Sequence, residues 1–166
     1  MTPSQLLIDS FERVREGALA AIDGLSEEQL AHRIAPDANS IAWLVWHAYR
    51  VQDEHLADAA GLQQVWAARG FIEFFDLDID EDDTGYGHTS AQVGKVRATA
   101  DLLARYVEAV HKQTLAWVGG LTAEHLDRVV DTSWDPPVTL GVRLVSVVND
   151  DTQHIGQAAY LRGLLD

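Results

Sequence analysis

Residues Thr139 to Leu165 read TLGVRLVSVVNDDTQHIGQAAYLRGLL. At 1.5 Å per residue this is a single helix of about 40 Å. Leu140, Leu144, Val147, Ala158, Leu161 and Leu165 recur at helical spacing and give a core-facing stripe. Asp150, Asp151 and His154 interrupt that stripe. Charged groups withdrawn from water need a compensating partner, and a carboxylate and an imidazole one turn apart suit a metal ion. The pattern predicts neighbouring helices, one of which supplies a further ligand.

That ligand is sought on the segment SIAWLVWHAYRVQDEHLADAAG, which Ser40 caps and Gly61 ends. Ile41, Leu44, Ala48, Val51 and His55 or Leu56 keep its stripe, and His47 lies between Leu44 and Val51 on the inward side. His47 is the leading third ligand, against the alternative of a buried, hydrogen-bonded histidine. Asp150 and His154, at i and i+4, can converge on the same ion. On a helical wheel, however, Asp151 points more directly inward than Asp150. Spacing therefore leaves both open, with Asp151 also able to orient a ligand histidine from behind.

Two further long helices complete the set. Thr2-Pro3 starts one that runs to about Gly24 and carries Leu7, Phe11, Val14, Ala18 and Ala21 on one side. Thr89 or Ser90 starts another through Val118, with Val93, Val96, Ala100, Leu103, Val107, Val110, Thr114 and Trp117 as its stripe and His111 at the boundary. SEEQLAHRI from Ser26 and a turn from Thr122 that carries an exposed His125 are short helical pieces. Residues 62–88 form a long crossover in which Trp66, Phe71, Phe74 and Phe75 cover the core. Its Asp76, Asp78 and Asp80 mimic the start of a calcium loop. Glu81 replaces the required glycine and Gly87 the bidentate glutamate, so the segment reads as a solvated acidic loop. Gly85-Tyr86-Gly87-His88 can bend back and bring His88 to a pocket. In the loop 119–138, Pro136-Pro137 stiffens entry to the final helix and Trp134 is expected as a lid. With no convincing strand hairpin, the expectation is an all-α four-helix bundle with short extra helices, as one domain over residues 1–166.

Composition narrows the function. Nearly half of the 166 residues are hydrophobic and the formal charge is -14. Such a surface repels phosphate backbones, which argues against nucleic acid. No apolar run reaches membrane-span length and the N-terminus lacks a signal pattern, so no membrane is expected and the cytoplasm is the default location. Without cysteine there is no thiolate ligand and no protein thiol nucleophile. Any thiol chemistry needs a thiol from outside. Two imidazoles and a carboxylate leave positions open on an ion, as catalytic sites require; zinc suits the set, and nickel, iron(II) and manganese are compatible with it.

Two segments resemble the DinB-like metal-binding four-helix-bundle superfamily, which includes mycothiol-dependent maleylpyruvate isomerase. Ser40-Ile41-Ala42-Trp43-Leu44-Val45-Trp46-His47 is similar to the family's S-x-x-W-L-x-x-H helix. Asp150, His154, Gly156, Gln157, Ala158, Leu161 and Arg162 are similar to its acid-or-histidine-x-x-x-His segment with G-[HQ]-A-x-x-L-R. The resemblance spans nearly the whole chain and implies His47, Asp150 and His154 as ligands, favouring Asp150 over Asp151. Aspartate stands where many relatives have glutamate or histidine, and Gln157 where some have a second histidine.

The resemblance further implies conjugation or isomerisation with a low-molecular-weight thiol such as mycothiol, bacillithiol or glutathione. The first expectation is thus a metal-dependent thiol S-transferase or thiol-dependent isomerase acting on small electrophiles. Arg162 could face a substrate carboxylate or form a surface salt bridge. Glu54, two turns from His47, could act as a base or acceptor or be merely solvated. The second expectation is a stress-response protein that binds metal or a small ligand without turnover, with Asp151 or Gln157 as fourth ligand. The third is an interaction module whose polar cluster is only a hydrogen-bond network. A homodimer is expected through an exposed helix face that the sequence does not identify.

Overall fold

The computed structural model describes residues 1–165. Four long helices form the frame: α1 (Pro3–Ile22), α3 (Ile41–Ala60), α7 (Ala100–Val118) and α9 (Leu140–Arg162). Between them lie the short helices α2 (Glu27–Ala31), α4 (Val65–Ala68), α5 (Phe71–Phe75), α6 (Ser90–Val93) and α8 (Ala123–Leu126). The start of each long helix is fixed chemically. The side chains of Thr2, Ser40, Thr99 and Thr139 accept hydrogen bonds from backbone N–H groups three residues on. Gly61 ends α3 in the left-handed conformation at φ 66°.

In cross-section α9 packs on α1 and α3, and α7 packs on the same two helices from the other side. Side-chain pairings give the directions. Arg15 meets Glu108 and Glu12 meets His111, making α1 and α7 antiparallel, whereas Gly17 against Ile155 and Arg162 on Ala21 set α1 parallel to α9. Tyr106 reaches Tyr49 and Asp53 while Gln52 reaches Thr114, so α3 and α7 are parallel. Parallel neighbours need a long connection, and residues 62–99 supply it. Trp46, Tyr49, Leu44, Phe11, Leu103, Tyr106 and Leu140 are fully buried between the helices. Among the described residues no helix is long and apolar enough to cross a membrane.

The crossover is anchored on α3 by polar side chains, not only by apolar ones. Asp53 accepts the backbone N–H groups of Val65 and Trp66 at 2.8 Å each, and the Tyr106 hydroxyl at 3.1 Å. Arg50, wholly buried, donates to the Asp83 carbonyl and the Gln64 side chain, and its guanidinium lies 4.9 Å from the Trp66 ring centre. Burial pushes the Asp53 carboxyl up, and its three donors oppose that shift.

Several expectations change. The helix expected from residue 89 to Val118 is two, because Thr99 caps α7 and the backbone between Gly94 and Ala98 is not helical, although Val93 and Val96 are buried as foreseen. The last helix stops at Arg162, short of Leu165. Val129–Asp131 (β1) and Val138–Thr139 (β2) form a small antiparallel ladder where no strand was expected. Trp134 at its tip is 67% exposed and covers nothing, and Phe74 is exposed under Arg105 rather than packed in the core. Asp78 pairs with Lys95 at 2.7 Å and Asp80 caps Asp82 locally, so the acidic loop is held by protein partners.

Two glycines in helix interiors differ in what surrounds them. A Cβ on Gly17 would lie 2.9 Å from Ile155 Cγ2, whereas a Cβ on Gly156 would meet nothing within 4 Å. Gly17→Ala is expected to lower stability by about 1–3 kcal/mol through overpacking. Gly156→Ala is expected to raise it by about 0.5–1 kcal/mol through helix propensity. Urea unfolding of both variants checks the pair; equal effects would contradict the packing of α1 on α9.

Candidate metal centre

His47, Asp150 and His154 come together on the seam between α3 and α9. One donor atom from each can be chosen so that all lie within 4.8 Å of one another. Donors near 2 Å from a common ion stand roughly 3–4 Å apart, so a side-chain movement of about 1 Å closes the set. The His47 and His154 rings meet edge to face, with centres 4.8 Å apart. His154 Nε2 lies 3.5 Å from Asp150 Oδ1. Asp150 Oδ2 and His154 Nδ1 are buried atoms without a protein hydrogen-bond partner. Free donors of this kind are what a cation requires, and nitrogen and carboxylate oxygen suit a divalent transition metal.

His47 is the most constrained of the three. Its Nδ1 lies 2.5 Å from the Thr84 carbonyl oxygen. A carbonyl only accepts, so Nδ1 carries the proton and Nε2 keeps its lone pair. Trp43 stacks on the ring at 4.5 Å between centres and 17° between planes. The crossover approaches this closely because residue 85 is glycine. At φ 92° an L side chain is strained, and a Cβ there would stand 2.8 Å from His47 Nδ1 and 3.0 Å from Trp46. Burial holds the His47 pKa below its ordinary value, with the Thr84 carbonyl opposing; the ring is neutral, as a ligand must be. The neighbouring His154 holds the Asp150 carboxyl low, against the effect of burial. Asp150 is therefore ionised.

A relay stands behind the Trp43 ring. Trp43 Nε1–H donates to His88 Nδ1 at 3.0 Å, and His88 Nε2–H donates to Asp83 Oδ2 at 2.8 Å. The other Asp83 oxygen accepts the Gly85 N–H at 2.8 Å. His88 thus fixes the tryptophan that stacks on His47. The bend brings it back to the core, and both ring nitrogens are occupied there.

The remaining sequence candidates lie elsewhere. Asp151 is wholly buried, as the helical wheel requires, but neither oxygen has a hydrogen-bond partner, so it orients no histidine. Burial, with Asp150 adding to it, pushes its carboxyl well up. Gln157 is exposed, one turn from His154. Arg162 donates to the Ala21 carbonyl at 3.2 Å and ties α9 to the end of α1, instead of forming an ion pair. Glu54 makes no hydrogen bond or ion pair among the described residues, whereas its neighbour His55 faces Arg143 at 3.4 Å, itself bonded to Asp131 at 2.8 Å. His111, expected at a boundary, is buried with Nε2 3.3 Å from Glu12. Sequence reading missed Thr84, whose contribution is a backbone carbonyl. Its only trace is a glycine two residues after an aspartate and three before a histidine.

The comparisons agree with this geometry. A family model described as mycothiol S-transferase matches residues 6–166. A solved structure, a conserved protein from Enterococcus faecalis, superposes with a TM-score of 0.90 at 31% identity, covering 98% of this chain and 96% of the other. No curated protein matches the chain. A match over almost its whole length, on a helical bundle that brings two histidines and an aspartate to one seam, places this chain in the mycothiol S-transferase family, of the DinB-like type.

Proposed function

We propose that this protein is a divalent-metal-dependent S-transferase that joins a mycothiol-type thiol to a small electrophile, with His47, Asp150 and His154 holding the ion. The convergence of these three side chains, one of them locked in the ligating tautomer, is the observation that supports it most. When bound, the ion supplies Lewis acidity that favours the thiolate form of a thiol near neutral pH. The protein's own contributions are distinct. His47 presents Nε2 without a proton to lose. Asp150 offsets one unit of the added positive charge. Trp43 and Trp46, both buried, wall the inner side of the seam against water. The Asp150 side chain, 37% exposed, marks the side from which substrates enter. The absence of cysteine fits an external sulfur nucleophile and excludes a competing protein thiol.

Zinc and nickel are the first metals to test. Wild-type protein is expected to hold about one equivalent after loading and dialysis, and His154→Ala under a tenth of that by elemental analysis. Asp151→Asn is expected to keep the full equivalent. Unchanged metal in His154→Ala contradicts the site. With metal present, conjugation of chlorodinitrobenzene is expected with mycothiol; its absence across a panel of bacterial thiols points to binding without turnover.

Gly85→Ala, which crowds His47, is expected to weaken zinc binding about tenfold or more, the range for loss of a ligand-orienting partner. Competition with a chromophoric chelator measures it, and unchanged affinity removes the role given to the Thr84 carbonyl.

The neutral state of His47 has a pH signature in chelator-treated protein. The unfolded chain takes up a proton near the ordinary value of 6.5, which the folded ring resists. The folded state binds fewer protons, so stability falls as pH drops below about 6.5 and is unaffected by this group above it. His47→Gln is expected to flatten that fall in part, leaving the share of His55, whose pKa burial also lowers. An identical slope in the variant would show that His47 is not held neutral.

A further inference from the structure

The outer face of α9 differs from those of α1 and α7. All of its exposed residues are uncharged, and its charged ones, Arg143, Asp150, Asp151 and Arg162, are buried or half-buried on the inward side and the flanks. On α1 the exposed positions include Asp9, Arg13 and Glu16, and on α7 they include Asp101, Arg105 and Lys112. A helix face turned to water ordinarily carries charge. From Val142 to Tyr160 this one runs about 27 Å without any, on a chain whose net charge is -14.

The strip is also apolar where it projects. Val142, Val145 and Tyr160 are each more than half exposed. Val142, Val145, Asn149, Thr152, Gly156 and Ala159 follow one another at alternating steps of three and four, the seam spacing of two helices packed side by side. Gly156 serves no packing within the chain, since a Cβ there would meet nothing within 4 Å. No turn calls for glycine at this position either. The remaining use of a missing side chain is close approach by something from outside.

The strip is complementary to itself. Two copies laid antiparallel, with a twofold axis level with residues 150 and 151, set Val145 opposite the partner's Gly156 and Val142 opposite the partner's Ala159. Asn149 then stands opposite the partner's Thr152, where amide and hydroxyl can hydrogen-bond. Each branched side chain faces a small one, and each pairing occurs twice, as an isologous contact demands. A foreign partner would need no such self-matching. Charge favours the same occupant. Acidic copies repel each other over most of their surface, and along this strip they meet without bringing like charges together.

Grooves of about 480 Å³ toward α3, beyond His154, and about 240 Å³ toward α1 flank the strip. They widen the contact beyond a single ridge, toward the roughly 800 Å² per partner of a stable interface. Among their lining residues only Arg13 is charged, and it is paired with Asp9 at 2.7 Å.

We infer that a second copy of this chain docks on the outer face of α9, the two α9 helices packing antiparallel with Val145 of each over Gly156 of the other. The contact borders the α3–α9 seam and leaves His47, Asp150 and His154 to their own chain.

Sedimentation velocity of the full-length protein is expected to show a dimer at micromolar concentration. Val145→Lys and Gly156→Glu each bring two unpaired charges into the contact, and each is expected to weaken the dimer at least about tenfold. Combined in one chain, the two substitutions set opposite charges against each other across the antiparallel contact, and dimerisation is expected to recover at least about fivefold over either single variant. In a parallel pairing they would set like charges face to face, with no recovery. Both positions are exposed, so circular dichroism and zinc stoichiometry are expected to match wild type in all three variants. A monomeric wild type, a dimer that neither single substitution weakens, or a double variant that recovers nothing overturns the proposal.

Discussion

The hydrogen bond from His47 Nδ1 to the Thr84 carbonyl links the fold to its chemistry. It exists only because a backbone segment lies directly against an imidazole in a buried seam, and glycine at position 85 permits that approach. Much else in the chain serves to hold that segment in place. Arg50 and Asp53 fasten the crossover to α3 by its backbone groups. Asp83 and His88 brace Trp43 against the ring from behind. The longest connection in the molecule, in loop-closure terms its most expensive one, is thus also the part that sets the histidine's tautomer. Local rigidity here has a chemical consequence, because a ring free to flip would offer a proton as often as a lone pair.

The bundle and the three converging side chains were legible in the sequence for physical reasons. Helix α9 announces itself through apolar spacing, and a polar triplet within that spacing has few uses. The choice between Asp150 and Asp151 was not legible from spacing alone. The wheel correctly turns Asp151 into the core, but the carboxylate that meets His154 and His47 is that of Asp150, on the flank where α3 brings His47. Only the packing partner determines which flank that is. The family resemblance points to Asp150, which geometry on one helix could not single out. The Thr84 carbonyl, the break before Thr99 and the small β1–β2 ladder share a different origin. Each depends on backbone groups, which carry no residue identity. His88 and Trp43 sit far apart in sequence and become neighbours only when the crossover folds back.

The charge distribution ties the centre to its surroundings. The chain is strongly acidic, yet the groove along α9 beyond His154 is lined only by uncharged residues. Acidic surface elsewhere, such as the hollow between α1 and α7 with Asp23, Asp101 and Glu108, lies across the bundle from the seam. An anionic molecule is repelled by most of this surface and meets no cation in the groove. Arg143, held by Asp131 beyond His55, lies on the opposite stretch of the same seam, away from the groove.

The proposed centre is tested most directly by zinc K-edge X-ray absorption on the loaded protein. A shell of nitrogen and oxygen near 2.0–2.1 Å, with multiple scattering from two imidazoles, is the predicted spectrum for wild type. A spectrum with one imidazole or none, or the same spectrum after His47→Ala, would mean that the ion is held elsewhere and that the α3–α9 seam is only a buried polar network.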